Sequence, residues 1–126
     1  MNKKLLHAFK TKIQAGPVFG AFSKASDPGI IEVMGHGGFD FVIIDLEHGP
    51  NTIETVQNLI RAAEISGILP LIRVPEDNDE MIGKSLDVGA YGVQVPQITD
   101  PDTVNRVIKT ARFYPEGARG LCRYVR

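Results

Sequence analysis

Cysteine is almost absent from this chain. Cys122 stands alone among 126 residues, so no internal disulfide can form and a reducing, cytoplasmic setting is expected. An excess of charge of one sign is also missing. Fourteen Lys and Arg against fifteen Asp and Glu leave a net charge of -1, which removes the electrostatic case for nucleic acid or an acidic membrane surface as partner. No apolar run reaches membrane-spanning length. Behind the basic start Met1-Asn2-Lys3-Lys4, the lysines Lys10 and Lys12 interrupt the apolar stretch that a signal peptide needs. What remains is 43% hydrophobic and 23% charged residues, the balance of a globular chain long enough for one domain and too short for two.

The pattern along the chain alternates. Leu5, Leu6, Phe9 and Ile13 recur at helical spacing and predict a helix over 3–14, ended by Gly16-Pro17. A first strand is expected over 17–23, followed by Asp27-Pro28 as N-cap and first helical residue of a short helix through Ile30, Ile31, Val33 and Met34. That helix closes at Gly35, Gly37 and Gly38. Residues 39–45 form a strand that is apolar on both faces, as a helix-covered parallel sheet requires. A helix from Asn51-Thr52 carries Ile53, Val56, Leu59, Ile60 and Ala63 on one stripe, and 69–74 is the next strand. Asn78 or Asp79 opens a helix with Met81, Ile82, Leu86 and Val88, which Gly89 ends before a strand over 91–95. Asp100-Pro101 opens the last helix, with Val104, Val107, Ile108 and Ala111 expected to face the core; the tail from Phe113 has no clear period.

Four strand–helix units thus begin near 17, 39, 69 and 91, and such alternation predicts α/β architecture with parallel strands joined by right-handed crossovers. Two architectures fit: an open doubly wound sheet, or part of a (β/α)8 barrel. A full barrel takes about 250 residues, so this chain supplies four of its eight units.

Ligands and chemistry gather where strands end in such folds. Strand two ends in Asp45-Leu46-Glu47-His48-Gly49-Pro50, and side-chain alternation turns Asp45 and Glu47 to the same side, with His48 just beyond. An imidazole held by a carboxylate is a good general base near neutral pH. Two other readings stand beside it. The carboxylates cap the following helix or pair with surface lysines, or the three residues ligate a divalent cation. Arg73 closes strand three; it cannot act as acid or base, but offers a fixed fork of donors to a carboxylate or a developing oxyanion. A salt bridge from Arg73 to Asp45 or Glu47 is compatible with that use. Asp87 falls before strand four, at the wrong end of a parallel sheet for chemistry. Gly35-His36-Gly37-Gly38 precedes a strand instead of following one, so it is no phosphate loop. The arginines Arg112, Arg119, Arg123 and Arg126 read as a solvated or interface surface.

Four blocks in order carry a resemblance. They are Gly38-Phe39-Asp40-Phe41-Val42-Ile43-Ile44-Asp45-Leu46-Glu47-His48-Gly49-Pro50, then Pro70-Leu71-Ile72-Arg73-Val74-Pro75, then Leu86-Asp87-Val88-Gly89-Ala90. The last is Arg112-Phe113-Tyr114-Pro115-Glu116-Gly117-Ala118-Arg119-Gly120. Together they resemble the HpcH/HpaI family of pyruvate-type aldolases over nearly the whole chain. The resemblance implies a (β/α)8 barrel, here its N-terminal half, and reversible aldol cleavage of a 4-hydroxy-2-oxo acid into pyruvate and an aldehyde. It also implies a divalent cation (magnesium, manganese or cobalt) that chelates the 2-oxo acid as a Lewis acid, and a homo-oligomeric full-length protein. By position, His48 is the base, Arg73 binds the oxo group and steadies negative charge, and Asp87 is a carboxylate that raises the basicity of the histidine. Spacing alone favours Asp45 as the partner of His48, and Glu47 is expected on the substrate side. The family's metal ligands, a glutamate and an aspartate, belong to later strands, with no counterpart up to Arg126. The single domain over 1–126 is therefore expected to be a partial barrel with little turnover by itself. The alternatives are a non-catalytic half-barrel that associates through its edges and a flavodoxin-like domain binding a small anion at Arg73.

Overall fold

The computed structural model describes residues 2–76 and 78–125; Met1 of the basic start and Arg126 of the arginine-bearing tail lie outside the described residues, as does Asp77. Among the described residues five helices and four strands alternate: α1 (Lys3–Ala15), β1 (Gly20–Ser23), α2 (Pro28–His36), β2 (Phe41–Asp45), α3 (Ile53–Ile65), β3 (Leu69–Arg73), α4 (Asp79–Asp87), β4 (Val93–Gln94) and α5 (Pro101–Ala111). Each helix starts where a side chain accepts the orphan N–H groups of its first turn. The caps are Asn2, Asp27, Thr52, Asn78 and Asp100, with proline at the first helical position of α2 and α5. Four of these five starts are legible in the sequence.

The strands are all parallel and lie in chain order, β1-β2-β3-β4. A doubly wound sheet reverses its strand order at a switch point. This sheet has none, so the flavodoxin-like arrangement does not occur, and the order is that of consecutive barrel staves. One face of the sheet is dry: Val42, Ile44, Ile72 and Val74 are fully buried against Ile31, Val56, Leu59, Ile60 and Ile82 from the helices. Each fully buried aliphatic side chain of this kind contributes about 1.5–3 kcal/mol. Gly35 allows α2 to approach α3, because a Cβ there would lie 2.4 Å from Ser66 Cβ. The other face carries Phe22, Ile43 and Leu71 in register across three strands, and Phe22 is 51% exposed.

Helix α1 runs beneath the N-terminal ends of the strands. Lys12 pairs with Asp40, Phe9 meets the Phe41 ring edge-on at 5.9 Å, and the Asn2 N–H donates to the Tyr91 hydroxyl at 2.6 Å.

Three expectations need correction. The first strand begins at Gly20 rather than 17, since its ladder to β2 starts at Gly20↔Phe41 and Pro17 has no N–H to contribute. The fourth is a regular strand only at Val93–Gln94 instead of over 91–95, although the Tyr91 N–H donates to the Pro70 carbonyl and the Ile72 N–H to the Gly92 carbonyl. In α5 only Val107 and Ala111 of the predicted stripe pack on the core, while Val104 and Ile108 are 41% and 42% exposed. The helix has α4 as its main neighbour, so part of its apolar stripe has nothing to face among the described residues.

Candidate active site

Asp45 and Arg73 are the last residues of β2 and β3 and stand opposite one another in the parallel register. The ladder continues one step past them, with the Leu46 N–H donating to the Arg73 carbonyl at 2.9 Å. That register sets the guanidinium squarely against the carboxylate. Arg73 Nε donates to Asp45 Oδ1 at 2.9 Å and Nη2 to Oδ2 at 2.7 Å, a bidentate fork. The loop then folds back so that the N–H groups of Glu47 and His48 also donate to Asp45 Oδ1, at 3.0 and 3.3 Å. Gly49 makes this turn possible, because a Cβ there would lie 2.2 Å from the Asp45 carbonyl oxygen.

Asp45 is fully buried. Its hydrogen bonds from Arg73 hold the carboxyl down to about 2, against the opposing effect of burial and with help from the His48 and Glu47 N–H groups. Arg73 is raised in turn, chiefly by its hydrogen bonds with Asp45. The same guanidinium reaches a second carboxylate, with Nη1 3.0 Å from Glu47 Oε2, and its Cζ lies 4.8 Å from the centroid of the Phe22 ring.

Glu47 joins the remaining parts. Its Oε1 accepts from Gln97 Nε2 at 3.3 Å and lies 3.8 Å from His48 Nε2, while its side chain is only 10% exposed. Gln97, just past β4, has a φ of 55°, a left-handed backbone unusual for a residue with a side chain. The His48 side chain is 61% exposed at the rim, with the Glu47 carboxylate beside it. The ends of three strands thus deliver Asp45, Glu47, His48, Arg73 and Gln97 to one place.

Asp45, Glu47 and Arg73 meet directly, and His48 and Arg73 flank the same Glu47 carboxylate. Asp45 bonds the backbone N–H of His48, not its imidazole, and both its oxygens are taken by Arg73. Asp87 does not join them. It ends α4 at the N-terminal edge of the sheet and accepts from Arg119 Nη2 at 2.5 Å. Two contributors are not evident from residue type, Gln97 and Phe22. The usable signal for Gln97 was position: it follows Val95-Pro96 at the end of the fourth strand, matching Asp45 and Arg73 on theirs. Phe22 lies opposite Ile43, two residues before Asp45, on the open face.

A resident cation does not fit this donor set alone. Among the described residues no group of three or more His, Cys, Asp or Glu side chains could hold a metal ion, and the Asp45 and Glu47 oxygens are committed to Arg73 and Gln97.

Strand order and convergent strand-end groups describe half of a (β/α)8 barrel with the chemical edge of an α/β enzyme. Residues 18–126 match the model of the HpcH/HpaI aldolase/citrate lyase family, and the chain belongs to that family. It is 32% identical over 117 residues to hydroxypyruvate/pyruvate aldolase of Roseobacter denitrificans, covering 92% of this chain and 46% of that one. It is 33% identical over 123 residues to 5-keto-4-deoxy-D-glucarate aldolase of Salmonella paratyphi A, covering 96% and 48%. Among solved structures, citrate synthase SbnG superposes with a TM-score of 0.85 at 42% identity, over 90% of this chain and 46% of that chain. The HpcH/HpaI aldolase from Desulfitobacterium hafniense superposes with a TM-score of 0.83 at 29% identity, over 90% and 44%. The chain spans about half the length of the curated relatives it matches. No helix among the described residues is long and apolar enough to cross a membrane.

Proposed function

We propose that these residues form the base-and-oxyanion half of an aldolase site that cleaves a 4-hydroxy-2-oxo acid reversibly to pyruvate and an aldehyde. The observation that carries the reading is the placement of an exposed imidazole and a buried-edge guanidinium on either side of Glu47 at the strand ends. His48 takes the proton of the C4 hydroxyl, directly or through water. The C3–C4 bond breaks, the aldehyde leaves, and the electron pair passes to the enolate of pyruvate, which is then protonated at C3. Arg73 receives the developing charge on the C2 oxygen. Asp45 binds two of its five N–H groups and Glu47 lies against Nη1, leaving further donors on both terminal nitrogens for the 2-oxo acid. Asp45 acts by fixing that fork, since an arginine already oriented loses less freedom on binding. Glu47 and Gln97 border the substrate side. Asp87 enters this reading only from a neighbouring subunit, in a homo-oligomer of the full-length protein.

A divalent cation (magnesium, manganese or cobalt) belongs to the proposal as the Lewis acid for the 2-oxo acid, with ligands outside this chain. No step assigned here to His48 or Arg73 runs through it. The chain alone is expected to turn over little or not at all.

The 42% identity to a citrate synthase favours a second reading, the same carbon chemistry run towards condensation on an oxaloacetate-like 2-oxo acid. The test is one assay in both directions. The chain is completed with the four later βα units of a relative and given, with each cation in turn, 4-hydroxy-2-oxo acids in one arm and oxaloacetate with an acetyl thioester as carbon donor in the other. Release of pyruvate that a chelator stops supports the cleavage reading. Citrate formation without cleavage favours the second, and neither product from a folded, completed barrel contradicts both.

A further inference from the structure

We infer that Gln97 is a positioning residue for the reaction proposed above, its amide holding Glu47 so that Arg73 keeps donors open for the 2-oxo acid. The inference rests on that reaction and names the residue that keeps its guanidinium available.

Strands β3 and β4 end in the same way. Arg73-Val74-Pro75-Glu76 and Gln94-Val95-Pro96-Gln97 run side by side, with Arg73 opposite Gln94 and the Val74 N–H donating to the Gln94 carbonyl at 3.0 Å. A left-handed residue follows each proline. Among the described residues, Glu76 at φ 54° and Gln97 at φ 55° are the non-glycine residues of positive φ. Glycine takes that backbone readily, whereas a residue with a side chain is strained in it. Such strain persists where surrounding contacts hold it, and it gathers at working edges of enzymes. The two turns differ in what their side chains reach. Gln97 Nε2 donates to Glu47 Oε1 at 3.3 Å. Glu76 is exposed and makes no side-chain hydrogen bond or ion pair among the described residues.

The Gln97 contact decides how Glu47 sits on Arg73. Asp45 occupies Nε and one side of Nη2, so the outer edge of the guanidinium, Nη1 with the other N–H of Nη2, is what remains for a ligand. Glu47 touches that edge once, with Oε2 3.0 Å from Nη1. A carboxylate with both oxygens free settles on such an edge as a fork. Gln97 prevents this by engaging Oε1. It does so as a neutral donor, which adds no charge to the group formed by Asp45, Glu47, His48 and Arg73. His48 Nε2, 3.8 Å from the same oxygen, is too distant to replace the amide. Without Gln97, Glu47 closes over Arg73 and competes with the 2-oxo acid for it.

Kinetics of the chain completed with the later strands of a relative test this. Gln97→Gly removes the amide and suits the backbone, so the melting temperature should hold or rise. Its KM for the 4-hydroxy-2-oxo acid should rise about tenfold, the usual effect of losing one hydrogen bond to a charged group, with kcat changed by less than about twofold. Glu76→Gly relieves the matching turn and should leave both constants unchanged. Gln97→Glu keeps the length but donates only when protonated, so its KM should approach that of the unsubstituted protein as pH falls from about 7 towards about 5. An unchanged KM in Gln97→Gly overturns the inference, as does an equal rise in Glu76→Gly or a rise that comes with a lower melting temperature. NMR separates the contact from the reaction. In the unsubstituted protein the Gln97 side-chain amide signals should move as Glu47 is titrated, and Glu47→Gln should abolish that movement. A folded barrel that releases no pyruvate while those signals move refutes the reaction and not the contact. Signals indifferent to Glu47 overturn the inference whatever the rates.

Discussion

The two ends of the sheet each hold an arginine on an aspartate and above a phenylalanine, and they are not equivalent. At the C-terminal end Arg73 binds Asp45 and lies 4.8 Å from the Phe22 ring centroid; at the other, Arg119 binds Asp87 and lies 4.7 Å from that of Phe113. The differences are in what surrounds the pair. Asp45 is completely buried, accepts two N–H groups as well as the fork, and shares its arginine with Glu47 beside an exposed histidine. Asp87 is 34% exposed, and its arginine ties down the tail that follows α5. A cavity of about 390 Å³ opens there, lined by Leu86, Tyr91, Phe113, Arg119 and Cys122 among others. Asp40 plays a similar part at that end, holding Lys12 of α1 and the Phe19 N–H. Carboxylates at the N-terminal edge thus fasten chain segments to the sheet. Those at the C-terminal edge fasten one guanidinium and stand beside a solvent-exposed imidazole. An ion pair does not mark a site; convergence of strand ends on it does.

That contrast can be broken or sharpened by substitution. The largest effect is expected from Arg73→Ala, which leaves the buried Asp45 carboxylate without its partner and should cost about 3–5 kcal/mol in urea unfolding. A loss no greater than that of Arg119→Ala would erase the distinction. Asp45 comes next, through pH. Folding lowers its carboxyl from the ordinary 3.8 to about 2, so the stabilisation is complete above the ordinary value and is lost as pH falls from there through about 2. Roughly 2 kcal/mol should disappear over that window, and Asp45→Asn should flatten the acid limb of the stability curve. An unchanged limb would mean that Arg73 does not hold Asp45 as described. Arg119→Ala, removing a partly exposed pair, should cost about 1 kcal/mol or less. The smallest change in stability belongs to His48→Ala, within about 0.5 kcal/mol, because the ring touches little but Glu47.

Much of this was legible before any coordinates. Helix starts announce themselves chemically: Asp27-Pro28 and Asp100-Pro101 cap the helices they were expected to cap, and the starts expected at Asn51-Thr52 and at Asn78 or Asp79 fall on Thr52 and Asn78. The Asp45–Arg73 meeting follows from strand periodicity, because parallel neighbours that end at the same level place their last residues side by side. Other parts depend on neighbours that periodicity does not reveal. Strand four looks five residues long, yet only Val93 and Gln94 keep regular register on β3, with Tyr91 and Gly92 adding single backbone bonds. The stripe on α5 is correctly spaced, but Val104 and Ile108 stay exposed among the described residues. Gln97 enters the site through a left-handed backbone that nothing in its residue type announces.

The most direct measurement is turnover of a 4-hydroxy-2-oxo acid by the chain completed with later strands, comparing His48→Asn with the unsubstituted sequence at matched thermal stability. Pyruvate release should fall by about 10²–10⁴-fold, the usual worth of a positioned base, while the melting temperature stays put. Equal rates from the two proteins would contradict the assignment of His48 as the proton acceptor, and with it the proposal that the strand-end cluster is a catalytic site.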